Sequence, residues 1–231
     1  MSLINNIPKK WLITGGCGFI GTSLIEELIK NNVEQIRVLD DLSTGKIDYL
    51  ESICDFKEYL GLDEDGIFLK VGNILDDELC IKMTKGVNCI VHLAANTGVP
   101  QSVKNPRLDM ETNIIGTFNM LEAARVNNVG HFVFASSGAP VGDIEPPIHE
   151  ELAPHPVSPY GSSKLAGEGY CSSYGKTFNI NTVILRFGNV YGPGSMHKTS
   201  VVAKFINNVL DGKICKIYGD GTQTRDFIYI S

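Results

Sequence analysis

Near the start of the chain, Lys10-Trp11-Leu12-Ile13-Thr14 is a short apolar run that enters three spaced glycines, Gly15, Gly18 and Gly21. It leaves them as the amphipathic segment Ser23-Leu24-Ile25-Glu26-Glu27-Leu28-Ile29. This order predicts a strand, a tight turn and a helix start. Gly15 lets the chain reverse, Gly18 lets backbone approach a pyrophosphate with no Cβ between, and Gly21 lets the helix lie close on the strand. Phosphates then meet N–H groups at the positive end of that helix. A glycine triplet alone is weak evidence for a dinucleotide, but here a second apolar run, Arg37-Val38-Leu39-Asp40, answers it. A carboxylate at Asp40 accepts hydrogen bonds from both ribose hydroxyls and repels a 2′-phosphate, which favours NAD over NADP. Arg37 and Lys46 are the sequence-near cations that would work the other way.

The 231 residues, 43% hydrophobic and 20% charged, are enough for one sizeable core, or one domain plus part of another. A net charge of −6 argues against a nucleic-acid partner, because binding a phosphate backbone needs a basic face. No apolar run reaches membrane-spanning length, and residues 1–6 lack the charged start and apolar core of a signal peptide. The expectation is a cytoplasmic protein with no membrane partner. The six cysteines, at 17, 54, 80, 89, 171 and 215, form no C-x-x-C pair and have no histidine at metal spacing, so no metal is expected. Cys17, inside the glycine turn, reads as a small filler rather than a reactive thiol, and His92 as a core residue.

Strand-like and helix-like segments alternate, the pattern of a doubly wound parallel sheet covered on both faces. Strands are expected at 67–71, 88–95, 131–137 and 181–187. Helices are expected at 46–59, from Asp76-Asp77 onward, at 106–128, at 160–176 and at 200–210, with a short strand at 213–218. Asn113 falls among apolar neighbours of the long helix and reads as a buried polar anchor for loops. The Pro- and acid-rich loop from 140 to 159 has the length of a functional loop. The alternation loosens beyond Gly192-Pro193-Gly194, which divides the chain into a cofactor-handling part, 1–190, and a substrate-handling part, 191–231.

Tyr160 and Lys164 lie one helical turn apart on one face. Such a pair arises by chance often enough to mean little alone. Ser137 raises its weight, because it ends a strand at the edge where open α/β sheets hold their ligands. A phenol has a reference pKa of about 10 and is a weak base at neutral pH; the Lys164 ammonium favours its phenolate. Tyr160 then takes a proton from an alcohol and returns it, while Ser137 holds the same oxygen.

With these residues in view, the chain resembles the extended short-chain dehydrogenase/reductases, in particular nucleotide-sugar epimerases of the UDP-glucose 4-epimerase type. The matching motifs are Gly15-Gly16-Cys17-Gly18-Phe19-Ile20-Gly21, Leu39-Asp40, His92-Leu93-Ala94-Ala95, Asn113 with Gly116-Thr117, Ser136-Ser137, and Ser158-Pro159-Tyr160-Gly161 with Lys164. Arg186-Phe187-Gly188-Asn189-Val190-Tyr191-Gly192 and Gly219-Asp220-Gly221 with Arg225-Asp226 follow in the same order.

The resemblance implies a Rossmann-type fold with a small C-terminal substrate-binding domain, incomplete here because family members continue for roughly a hundred residues past Ser231. It also implies NAD as cofactor, held by Gly15, Gly18, Phe19, Ile20, Gly21, Asp40 and Asp41, with Asn73 and Ile74 beside the adenine. Leu93, Ala94, Ala95, Asn113, Tyr160, Lys164 and Phe187 complete that set. The implied substrate is a nucleotide sugar, most simply a UDP-sugar, met by Ser137, Tyr160, Asn189, Val201, Val202 and Arg225. The implied reaction inverts C4 through a transient 4-keto sugar, in carbohydrate metabolism such as cell-surface polysaccharide biosynthesis. A homodimer is implied through the helices at 106–128 and 160–176.

Four positions depart from the pattern. Sugar dehydratases carry Asp-Glu directly after the catalytic Ser or Thr, where this chain has Gly138 and Ala139; Val141 replaces a usual Tyr and Asn73 a usual Asp. The competing readings are a nucleotide-sugar reductase or dehydrogenase and a non-catalytic dinucleotide-binding module.

Overall fold

Leu12 and Ile13 are neighbours on strand β1 (Lys10–Thr14), both fully buried, and they join different halves of the core. The period of two along a strand sends one to each face of the sheet. Leu12 packs with Ile90, Phe132 and Phe134, and Ile13 with Ile25, Leu28, Val38 and Val91. A sheet buried on both faces needs strands with almost no polar side, and β2 (Gln35–Asp40) is buried at all six positions.

The computed structural model describes residues 7–61, 63–145, 147–195, 200–217, 219–222 and 224–230. It divides into two compact units, 1–186 and 187–231. The first is built on a seven-stranded parallel sheet in the order β3-β4-β2-β1-β5-β6-β7, where β3 is Lys57–Glu58, β4 Gly66–Val71, β5 Cys89–His92, β6 His131–Ser137 and β7 Asn181–Phe187. The chain winds outward from β1 through β2 to β4, then crosses to β5 and winds the other way. The reversal lies between β1 and β5, paired in parallel with Thr14 opposite His92, and such a switch point opens a crevice at the strands' carboxyl ends. Helices α1 (Phe19–Lys30) and α2 (Ile47–Glu51) supply Ile25, Leu28 and Leu50 to one half-core. Helices α3 (Asp77–Thr84), α6 (Gly116–Val126) and α7 (Pro159–Phe178) supply Cys80, Met83, Met120, Leu121, Cys171 and Tyr174 to the other. Two short helices, α4 (Val99–Lys104) and α5 (Pro106–Met110), lead into α6.

Several expected elements take a different form. The helix expected over 46–59 stops at Glu51, where the Ser52, Ile53 and Cys54 amides close on Asp48 and Leu50 carbonyls; Lys57 and Glu58 then pair with Phe68 and Leu69 as an edge strand. The helix expected over 106–128 is α5, a π turn at Glu111–Ile115, and α6.

In the second unit, the expected strand at 213–218 is absent from residues 213–217, and Tyr218 lies outside the described residues. Strand β8 (Asn189–Tyr191) pairs in parallel with β9 (Phe227–Tyr229), where Tyr191 meets Phe227 and Tyr229 edge to face. Helix α8 (Val201–Leu210) follows the N-cap residue Ser200. Among the described residues no helix is long and apolar enough to cross a membrane, and no group of His, Cys, Asp or Glu is placed to hold a metal.

Candidate active site

The glycine turn sits at the switch point because only glycine fits there. Gly15 has φ +70°, and a Cβ on it would stand 2.8 Å from the Ala94 backbone nitrogen, on the loop after β5. A Cβ on Gly21 would stand 2.5 Å from the Gly15 carbonyl oxygen, so α1 closes onto the turn. Gly18, the N-cap of α1, adds no side chain over the first helical turn of Phe19, Ile20 and Gly21. A pyrophosphate fits such an opening.

Asp40, at the carboxyl end of β2, is 6% exposed. Its Oδ2 accepts the Cys17 amide and its Oδ1 the Leu42 amide, each at 2.9 Å. A carboxylate has about four acceptor positions, so capacity remains for ribose hydroxyls. Burial raises the Asp40 pKa, and the Leu42 and Cys17 amides oppose that rise.

Of the two sequence-near cations, one is committed to protein partners and the other is exposed. Arg37 is buried on the sheet and donates to Gln35 and to the Met83 and Lys85 carbonyls, while Lys46 lies over the Tyr49 ring. These residues therefore fit NAD. At the next position, Asp41 accepts the Asn73 amide at 3.0 Å, and Ile74 is buried with its carbonyl held by Asn119. Cys17 is wholly buried, and its thiol is pushed up to about 12, by burial first and the Asp40 carboxylate second, which makes it a filler.

The three candidate catalytic side chains meet where β6 ends and α7 begins. Ser158 caps α7 by accepting the Gly161 amide at 3.1 Å, and Pro159 occupies the first turn. Gly161 lets the helix start ride on the loop after Ser137, because a Cβ there would stand 2.6 Å from the Ala139 carbonyl oxygen. Ser137 Oγ accepts the Ala139 amide at 3.2 Å.

Lys164 is 3% exposed, donates to the Ala135 carbonyl at 2.8 Å, and lies over the Phe134 and Tyr160 rings. Burial lowers its pKa to about 8, opposed by the Asp109 and Cys171 charges. The sequence alone has Lys164 lowering the Tyr160 phenol. In the structure burial dominates and raises it, the Ser137 hydroxyl pulls it down, and Asp109 adds to the rise.

Behind these groups runs a buried polar network. His92 Nδ1 lies 2.7 Å from Thr14 Oγ1 and its Nε2 3.1 Å from Thr117 Oγ1. Thr117 donates its own proton to the Asn113 carbonyl, so it accepts from His92 Nε2–H; the Nδ1 then accepts from Thr14, which itself accepts the Ala94 amide. Burial drives the His92 pKa down to about 3, so the ring is neutral.

Asn113 sits in the π turn, 1% exposed, with its side chain spent on protein. Its Oδ1 accepts the Asn96 amide at 2.8 Å, and its Nδ2 donates to the Asn96 carbonyl, Asp109 Oδ1 and Ser163 Oγ. It thus fixes the loop that carries Leu93, Ala94 and Ala95, as the buried-anchor reading expects. Sequence reasoning passed over Asp109, Ser163 and Glu168. Their available signal was spacing: Asp109 is one turn before Asn113, and Glu168 one turn after Lys164.

The remaining candidates belong to the second unit. Asn189 donates to the Asp226 carbonyl at 3.1 Å through its side chain, and Arg225 is exposed, its guanidinium on the Thr224 carbonyl at 2.8 Å. Val201 and Val202 open α8, one exposed and one half-buried, and Phe187 is half-buried at the start of the unit.

Comparison with known proteins places the chain among nucleotide-sugar enzymes. UDP-glucose 4-epimerase of Mycolicibacterium smegmatis is 34% identical over 224 residues, covering 95% of this chain and 69% of that protein. A dTDP-D-glucose 4,6-dehydratase of Dictyostelium discoideum is 35% identical over 241 residues, covering 96% of this chain and 53% of that protein. Among solved structures, UDP-N-acetylglucosamine 4-epimerase from Methanobrevibacter ruminantium superposes with a TM-score of 0.86 at 31% identity, covering 97% of this chain and 70% of that one. Residues 11–231 match one family model, and the chain belongs to the NAD dependent epimerase/dehydratase family.

Proposed function

We propose that the chain inverts C4 of a UDP-linked hexose, hexosamine or hexuronate through a transient 4-keto sugar, keeping its cofactor bound throughout. The reading rests on one observation: Ser137, Tyr160 and Lys164 meet at one strand end, and no carboxylate occupies positions 138 and 139 beside them. Gly138 is exposed with open space around it, and Ala139 turns its amide back to Ser137. Acid-assisted loss of water, the dehydratase step, lacks a proton donor at those two positions.

Tyr160 accepts the proton of the C4 hydroxyl and later returns it. Ser137 donates to the same oxygen as carbonyl character develops. Lys164, charged, favours the phenolate against the burial that opposes it. NAD, when bound, supplies the reversible two-electron uptake and return at C4 that lets the carbon invert. Asp40 holds its ribose, and the 15–21 turn its pyrophosphate. In this reading the first unit handles the cofactor. The second handles the nucleotide, with Val201 and Val202 beside it, Arg225 on a phosphate and Asn189 on the diphosphate side. A homodimer through α5, α6 and α7, and a cytoplasmic location, belong to the same proposal; sedimentation tests the first.

The test is to denature the purified protein, identify the dinucleotide released, and incubate native protein with UDP-glucose and UDP-N-acetylglucosamine without added cofactor. Released NAD and the C4 epimer are expected. No bound dinucleotide, together with NADPH-dependent loss of substrate, would replace the epimerase with a reductase.

A further inference from the structure

Lys164 is a buried ammonium that forms no ion pair within 4 Å among the described residues; its one hydrogen bond goes to a neutral carbonyl. A charge held that way is expensive unless a counter-charge stands near. Asp109, on α5, is 1% exposed. Its Oδ1 is taken by Asn113, while its Oδ2 is buried with no hydrogen-bond partner placed among the described residues; burial raises the Asp109 pKa, and the Ser163 hydroxyl and the Lys164 charge oppose that rise. Helix α5 packs on α7, and Asn113, which Asp109 holds, also donates to Ser163, the residue before Lys164.

We propose that Asp109 is a positioning residue: its carboxylate is the counter-charge of Lys164 and, through Asn113 and Ser163, it fixes the Tyr160–Lys164 turn of α7 against the loop after β5. This deepens the reaction proposed above and rests on it only for its consequence in turnover; the electrostatic relationship stands without a substrate.

Each neighbouring element contributes to the setting. His92 on β5 is neutral and held by two hydroxyls. Ala135 on β6 offers a carbonyl and Phe134 a ring face. On α7 itself stand Tyr160, Cys171, and Glu168, the last already committed to Arg186 and Ser136. Of the carboxylates beside Lys164 among the described residues, Asp109 is the one that forms no ion pair within 4 Å. Its charge acts in opposite senses on the two catalytic groups, keeping the lysine protonated and resisting the phenolate.

The test is carbon NMR of the full chain with its retained cofactor, labelled at Lys Cε, Tyr Cζ and Asp Cγ, with Lys164→Met and Tyr160→Phe assigning the signals. In Asp109→Asn, which keeps the side-chain shape and the acceptor for Asn113, Lys164 is expected to lose its proton about 1 pH unit lower, the size an opposite charge at short range imposes. Tyr160 is expected to ionise lower as well. Should that variant fail to fold, the reciprocal measurement remains: in Lys164→Met the Asp109 carboxyl titrates about 1 unit higher than in the parent. Ser163→Ala, which keeps the charge, leaves the Lys164 titration in place. Titrations of Lys164 and Asp109 that do not move in these variants overturn the proposal. Absence of epimer formation with the expected shifts would count against the proposed reaction alone.

Discussion

Glu168 receives Arg186 at two points, Nε to Oε1 at 2.9 Å and Nη2 to Oε2 at 2.7 Å, while the Ser136 hydroxyl also meets Oε1 at 2.5 Å. The contact joins α7, β7 and β6 one helical turn beyond Lys164. Removing one partner leaves a largely buried charge uncompensated, so Glu168→Gln is expected to cost about 2 kcal/mol, a figure lowered for the partial exposure of Arg186. Urea unfolding measures it. The double variant Glu168→Leu/Arg186→Met is expected to lose less than the sum of the two single changes.

Two glycines near the site should behave oppositely. At Gly15 an added Cβ meets the Ala94 backbone in a left-handed conformation, which alone costs about 1 kcal/mol. Gly15→Ala is therefore expected to lower thermal stability and to lose retained NAD, read as dinucleotide released on denaturation. A methyl added at Gly138 would find, apart from its two chain neighbours, no described residue within 4 Å, and Gly138→Ala should stay within about 0.5 kcal/mol of the parent.

If the phenol carries the proton, Tyr160→Phe should reduce kcat by about 10³-fold with NAD still bound, because the ring and its packing remain. Ser137→Ala should lose about 10²-fold. Both are read as epimer formed per released dinucleotide. A Phe variant with unreduced turnover would remove Tyr160 from the chemistry.

His92 ties stability to pH. Its reference value is 6.5 and its folded value about 3, so between those limits the unfolded chain binds more protons than the folded one. Stability should then fall as pH drops from 6.5 toward 3, by about 1.4 kcal/mol per unit once well below 6.5. Replacing the ring by a group that does not titrate, His92→Gln, should flatten that slope by about one proton. Urea midpoints taken between pH 4 and 7 test this.

Most of the first unit is legible in sequence because parallel strands and glycine turns obey local rules. The run Cys89–His92 is buried throughout and apolar up to His92 because both faces are covered, and Gly15 and Gly21 stand where backbone touches backbone. The rest depended on distant partners. Lys57 and Glu58 carry no strand pattern and pair only because Phe68 and Leu69 lie beside them. Asp109 looks like any helix-surface acid until α7 covers it. The motif pointed to the Tyr160–Lys164 pair, but burial, which no spacing reveals, dominates their titration.

The π turn at Glu111–Ile115 makes the path from Pro106 to Val126 one residue longer than a regular helix joining the same two ends. Within that turn Asn113 is buried and holds both the amide and the carbonyl of Asn96. Taking one residue out of the turn would rotate α5 by about 100° relative to α6 and draw Asp109 away from α7, against which α5 packs. What would disappear is the grip on the 93–96 loop. The segment thus ties the length of this helical path to the setting of the loop after β5, so that a single-residue change of length would alter both at once.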